Sequence, residues 1–360
     1  MSTESWAERL RPDRLRKLAL GLALGAVGGA VADYFDLPLA WMLGALFATM
    51  FARVGGAPID VPIWVRANFL ILIGLFLGES FEGVQAAELL QWPVSIAAAM
   101  LYVPVATACA YVYYHHVIGE QRMTAICSSI PGGLIAVVVV SGSLGADERQ
   151  VALAQSLRIA IVVVMAPLVA FGLLGYPPPD DAAITDRALI SLDDLGILIA
   201  GTFAVMWVMQ RTHVPIPYMI GPLLASAGLR LAGLVEGALP HQLVEVALVV
   251  TGSSIGTRFH GISPSKLVRF GLLTLGGTSV LMLVTAVFAV TVSALTGQEF
   301  LVTLLAYAPG GVAEMSLIAL AIDANPGFVA IHHVARIIFV LLSVPLLTAW
   351  VARRRAGEGG

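Results

Sequence analysis

Charge is what this 360-residue chain has least of: 12% of its residues are Asp, Glu, Lys or Arg, against 58% apolar and a mean hydropathy of +0.90. That scarcity excludes ordinary soluble domains, in which about a quarter of the residues are charged. Cysteine is nearly missing too. Cys109 and Cys127 both fall inside apolar runs, so neither a disulfide framework nor a thiolate metal site is expected. Seven scattered histidines offer no ligand cluster for zinc, copper or iron. There is no GxxxxGK[ST] phosphate loop and no support for a serine nucleophile, so neither ATP-driven transport nor hydrolysis by this chain is expected. The chain is expected not to be an enzyme and to need no cofactor.

What is present is a succession of apolar runs of a length that spans a bilayer, which takes roughly 20 helical residues. They begin near Leu18 and recur to Trp350, which implies an all-α polytopic membrane protein without a soluble domain. The basic start followed by Leu18 to Ala32, ending Ala30-Val31-Ala32, imitates a signal peptide. An internal counterpart, Gly196 to Gln210, favours a retained helix instead.

That counterpart belongs to a duplication. IPGGLIAVVVVSGSLGADERQVALAQSLRIAIVVVMAPLV (Ile130 to Val169) is echoed by APGGVAEMSLIALAIDANPGFVAIHHVARIIFVLLSVPLL (Ala308 to Leu347). A constant offset of 178 pairs Pro131, Gly132, Gly133, Arg158 and Pro167 with Pro309, Gly310, Gly311, Arg336 and Pro345. Gly74, Gly78 and Phe81 pair with Gly252, Gly256 and Phe259 at the same offset, and Pro38, Met42 and Gly44 with Pro215, Met219 and Gly221 at 177. Self-similarity on this scale fixes the organisation: a basic tail at 1–17, a first membrane repeat at 18–174, a Pro-rich acidic linker at 175–194, a second repeat at 195–351 and a basic tail at 352–360.

Charge distribution suggests how the repeats are oriented. Five crossings and one re-entrant segment per repeat would make them inverted, with the linker outside and both termini in the cytoplasm. Leaving out Arg158 and Arg336, that arrangement puts sixteen Lys/Arg inside and only Arg187 and Arg230 outside, whereas six crossings per repeat would give thirteen against five. The expected fold is therefore two inverted-topology repeats with about ten crossings and two broken or re-entrant Pro-Gly-Gly segments, placed in the bacterial inner membrane. Proline removes a backbone donor and glycine weakens a helix, so each Pro-Gly-Gly breaks its helix at membrane depth. Lipid cannot satisfy the freed backbone groups, which must be buried in protein or face a cavity. Inverted repeats with broken helices are a plan transporters use for substrate sites.

The candidate site residues lie at these breaks. Arg158 and Arg336 sit in long apolar runs, where a charge costs at least ~2.5 kcal/mol. They either tie down broken-helix carbonyls or present guanidinium to an anion. Gly132, Gly133, Gly310 and Gly311 either pack helices closely or let a half-helix aim its N–H groups at an anion, with Ser128 and Ser129 beside the first break. Glu314, His332 and His333 stand where the first copy has Ala136, Ala154 and Gln155. A function performed once needs a group in only one copy, so these three are candidates for proton coupling; the other reading is a Glu-His-Arg set that merely balances buried charge. Expected partners are a small-molecule solute, the lipid bilayer and a second copy of the chain, but no nucleic acid, since the basic tails are short.

The doubled PGG…R…P pattern resembles the bacterial AbrB-type membrane protein family, whose Gram-negative members carry a duplicated module. Its labels, "AbrB family transcriptional regulator" and "ammonia monooxygenase", imply regulation of gene expression or ammonia oxidation. More locally, Pro-Gly-Gly followed by a further helix is similar to bile acid/sodium symporter and cation/proton antiporter relatives, which implies inverted-repeat transport. The first copy departs from those relatives in having no acidic residue after Pro-Gly-Gly. The expected function is secondary transport of a small anionic or zwitterionic solute, coupled to protons, with a membrane-embedded regulator or sensor as the alternative.

Overall fold

A computed structural model of the chain describes residues 11–37, 39–82, 90–176, 188–212, 217–322 and 324–358. The first ten residues, Pro38, Pro215 and linker positions 177–187 lie outside the described residues. The described residues form helices throughout, with a single isolated bridge, Leu189 to Ala238, as extended pairing. The protein is an all-α polytopic membrane protein: among the described residues six helices are long and apolar enough to cross a bilayer.

The first repeat runs α1 (Pro12–Tyr34), α2 (Ala40–Val54), α3 (Ile63–Glu79), α4 (Trp92–Val112), α5 (Arg122–Ser129), α6 (Leu134–Ser141) and α7 (Glu148–Pro167). The second repeat runs α8 (Leu192–Arg211), α9 (Pro217–Leu231), α10 (His241–Gly256), α11 (Pro264–Thr296), α12 (Phe300–Tyr307), α13 (Val312–Ala321) and α14 (Pro326–Glu358). Helix starts follow local chemistry. The Asp147 carboxylate accepts from the Gln150 N–H to cap α7, the Ser191 hydroxyl accepts from the Asp194 N–H to cap α8, and α1 has proline in its first turn.

The compact bodies are not the sequence repeats. One unit comprises Met1–Gly83 with Pro178–Leu267, and the other Val84–Pro177 with Val268–Gly360. Each therefore takes half of its chain from each repeat.

In the first unit, α2 packs against α1 and α10 while α9 packs against α8 and α3. The contacts are reciprocal. Gly74 of α3 lies against the Met219 carbonyl of α9, and its counterpart Gly252 of α10 lies against the Met42 carbonyl of α2. Ser226 donates to the Leu75 carbonyl at 2.9 Å, and its counterpart Thr49 reaches the Ser253 carbonyl at 3.5 Å. A side chain at these glycines would meet backbone, so the small residues set how closely the helices approach. Where α3 ends, Arg230 Nη1 meets Glu82 Oε2 at 2.5 Å and Nη2 donates to the Gly237 carbonyl. Glu79 lies 3.7 Å from the same guanidinium and accepts from the Leu239 N–H at 2.8 Å. These partners satisfy charges that would be costly to bury alone.

In the second unit, α4 continues through a π-helical turn (Tyr113–Val117) and is tied to α11. Tyr102 and Thr285 hydroxyls bond at 2.9 Å, and Tyr113 donates to the Leu273 carbonyl at 3.1 Å. The two broken segments, α5–α6 and α12–α13, belong to this unit, as do α7 and α14, which carry Arg158 and Arg336.

Candidate functional site

Both Pro-Gly-Gly sequences interrupt their helices. In the first break Gly132 has φ +113° and Gly133 +66°, conformations that exclude most side chains. Gly133 then serves as the N-cap of α6. In the second break Gly311 caps α13 at φ −85°, so its glycine answers a need for space rather than a backbone need. A Cβ at Gly311 would collide with Oε2 of Glu314. The Glu314 carboxylate, third residue of α13 and buried, thus lies over the helix start, where N–H groups and the helix dipole favour negative charge. The anion-binding end expected at Gly310 and Gly311 is occupied by the chain's own carboxylate. The equivalent end of α6 follows a sequence with Ala136 in place of that acid.

The carbonyl ends of α5 and α12 are satisfied by matched side chains. Arg158 Nη1 donates to the Ile130 carbonyl at 2.6 Å, and Arg336 Nη1 donates to the carbonyls of Tyr307 (2.9 Å) and Ala308 (2.8 Å). Gln155 Nε2 donates to the carbonyls of Cys127 (2.8 Å) and Ile130 (3.1 Å); its counterpart His333 uses Nε2 on Leu305, the counterpart of Cys127, at 2.9 Å. Cationic donors at helix C-termini are favourable for both hydrogen bonding and the dipole. Of the two readings of the arginines, the geometry directly displays the carbonyl-tying one.

It does not use up either guanidinium. Arg158 Nε and Arg336 Nε are buried without a hydrogen-bond partner. Arg336 Nε lies 3.5 Å from where a Cβ on Gly132 would stand, so the second copy's arginine reaches the first copy's break. Tyr114, Arg336 and Tyr102 are the titratable groups close enough to act electrostatically on Arg158.

The histidines are held separately from one another. His333 Nδ1 bonds Arg336 Nη2 at 2.8 Å, while His332 bonds the Phe328 carbonyl through Nδ1 (2.7 Å) and the Ser95 hydroxyl through Nε2 (2.8 Å). All four ring nitrogens are engaged in this way. Of the two serines, Ser129 donates back to the Ala125 carbonyl, and Ser128 reaches Glu120 Oε2 at 3.5 Å.

Ser95, Tyr102, Tyr307 and Glu120 escaped the sequence reading. Tyr307 donates from its phenol to the Ser95 carbonyl and packs edge-on to Tyr102. A hydroxyl within an apolar run is the only local signal for Ser95, Tyr102 and Tyr307. Thr251, Ser253 and Ser254 are on α10 in the first unit, with buried hydroxyls lacking partners. Gly252-Ser253-Ser254-Ile255-Gly256 has the letter spacing of a serine nucleophile elbow, but it lies inside a helix rather than on a strand-to-helix turn. Among the described residues no group of three or more His, Cys, Asp or Glu could hold a metal ion.

The sequence matches a known family over nearly its whole length. The family model described as "Transition state regulatory protein AbrB" matches residues 4–352. The protein YhjN of Bacillus subtilis (strain 168) is 26% identical over 354 residues, covering 90% of this chain and 90% of its own. A protein of Escherichia coli (strain K12) named as an AbrB regulator is 25% identical over 331 residues, covering 88% of this chain and 91% of its own. The chain, with its doubled Pro-Gly-Gly segments and their paired arginines, belongs to the AbrB family.

Proposed function

We propose that the chain is a proton-coupled secondary transporter of a small anionic or zwitterionic solute, held by the guanidinium groups of Arg158 and Arg336 at the broken helices. The observation that carries this reading is that each guanidinium keeps one buried N–H without a partner, Arg158 Nε and Arg336 Nε. Two cations with spare donors in a water-poor setting call for an anion, and a carboxylate fits guanidinium geometry. The start of α6 at Gly133, which has no side-chain cap, adds backbone N–H groups of the same preference.

Two contacts support inverted repeats with re-entrant Pro-Gly-Gly segments, and the distribution of Lys and Arg favours cytoplasmic termini in the inner membrane. Arg230 and Leu239 of the second repeat bond Glu82 and Glu79 of the first, so the end of α3 and the end of α9 share one face. Six crossings per repeat would put those ends on opposite faces. Likewise the Asp147 N–H donates to Thr124 Oγ1 at 3.0 Å, which returns the start of α7 to the level of the start of α5.

The test is uptake into proteoliposomes under an imposed pH gradient, across a panel of monocarboxylates, dicarboxylates and amino acids. Arg158→Lys and Arg336→Lys keep a cation and a carbonyl donor while removing the spare N–H. Each is expected to lower uptake at least tenfold, the scale of one charge-assisted hydrogen bond at ~1.5–3 kcal/mol. Uptake of every solute unchanged by Arg336→Ala and Glu314→Gln would overturn the site.

The name of the Escherichia coli relative favours a second reading, a membrane regulator whose basic tails contact a partner. It predicts that truncating the basic tails abolishes an expression phenotype while the arginine variants leave it intact.

A further inference from the structure

The two adjacent histidines are built for opposite tasks. His333 does the work of Gln155 in the first copy: each donates from Nε2 to a matched carbonyl, Leu305 at 2.9 Å and Cys127 at 2.8 Å. A carbonyl can only accept and a guanidinium can only donate. His333 is therefore protonated on Nε2 and accepts at Nδ1 from Arg336 Nη2 at 2.8 Å. A second ring proton would set two donors face to face, so His333 behaves as the untitratable amide it replaces.

His332 has no such constraint. Its counterpart is Ala154, so the scaffold does not require it. Nδ1 donates to the Phe328 carbonyl at 2.7 Å, and Nε2 lies 2.8 Å from the Ser95 hydroxyl, itself 2.8 Å from the Trp92 carbonyl. A serine hydroxyl has one proton to give and lone pairs to accept with. With neutral His332, Ser95 donates to Nε2. With His332 charged, Nε2–H donates to Ser95, whose proton turns to the Trp92 carbonyl. A proton enters or leaves without any heavy atom moving.

The groups around this exchange are few. Arg336 lies one turn along α14, with His333 beside it. Tyr307 of α12 places its ring centroid 6.1 Å away and donates from its phenol to the Ser95 carbonyl. Tyr102 shares α4 with Ser95, and Glu314 is on α13, which packs against α14. Arg336 repels a charged His332, and an anion on the arginine pair relieves that repulsion, so proton and anion would each strengthen the other's binding by the same factor.

We propose that His332 is the reversible proton site of this unit, with Ser95 as the hydroxyl that reverses, and that His333 is a permanently neutral helix cap. Its use in coupling rests on the transporter reading; its chemistry does not. The test is ¹⁵N NMR of histidine-labelled full-length protein in micelles from pH 8 to pH 4, assigned with His332→Asn and His333→Gln. His332 is expected to gain its second ring proton at least about one pH unit above any change at His333. Ser95→Ala should abolish that titration and leave the His333 signals unmoved. Titration of His333 first, of both together, or of neither before unfolding overturns the proposal, as does an unchanged titration in Ser95→Ala. If His332 titrates as expected but no solute of the panel is taken up, transport fails and the proton site stands. If uptake is pH-driven and indifferent to His332→Asn, transport stands and the use of His332 in coupling falls.

Discussion

Residues that look alike in the sequence divide sharply once their neighbours are known. Arg158 and Arg336 were legible as a symmetric pair because a charge in an apolar run is conspicuous and self-similarity supplies its partner. Glu120 was not, since an acid in a loop between helices looks like any solvated charge. It is half-buried beside Ser128 at the first break, and burial pushes its carboxyl up to about 6 from 4.5, with Asp147 adding to the rise and the Ser128 hydroxyl bond working against it. Because the folded value is the higher one, Glu120 contributes stability in full below about 4.5, and that contribution is lost as pH rises through about 6. Thermal unfolding in detergent, compared between wild type and Glu120→Gln, is expected to show a difference that changes across this window and levels off above it. A difference independent of pH would refute it.

At the scale of elements, the Pro-Gly-Gly breaks were predictable from residue type, because proline and glycine act through their own backbone. Why the two breaks differ was not. The first uses glycine for positive φ at Gly132 and Gly133; the second uses it to seat the Glu314 carboxylate over the start of α13. Gly311→Ala is therefore expected to lower stability by ~1–3 kcal/mol, the usual cost of overpacking. Glu314→Ala in the same chain should recover a good part of that loss, a non-additivity expected of groups in contact. Melting temperatures of the two single variants and the double variant decide it; simple additivity would mean that the carboxylate does not fill the space at Gly311.

For the whole molecule, the duplication predicted two sequential repeats, and the chain forms two compact units that each draw on both. Reciprocal contacts such as Gly74 on Met219 and Gly252 on Met42 hold the first unit together, and only backbone meeting backbone could reveal them. Single cysteines in a Cys109→Ser, Cys127→Ser background test the inverted arrangement. An impermeant thiol reagent added to cells should label Leu90→Cys and Glu236→Cys, but not Gln121→Cys or Arg149→Cys. Six crossings per repeat predict label at Leu90→Cys and Arg149→Cys instead.

The sequence by itself determined the membrane class, the duplication, the position of both breaks and the presence of a charge behind each, because composition, self-similarity and backbone chemistry are properties of the chain read locally. The tertiary structure alone decided that Glu314 covers a helix start, that His333 caps the Leu305 carbonyl beside Arg336, and that His332 meets Ser95 from 237 positions away. Which nitrogen of a ring can take a proton depends on what stands opposite it, and that is settled only when distant segments of the chain come together.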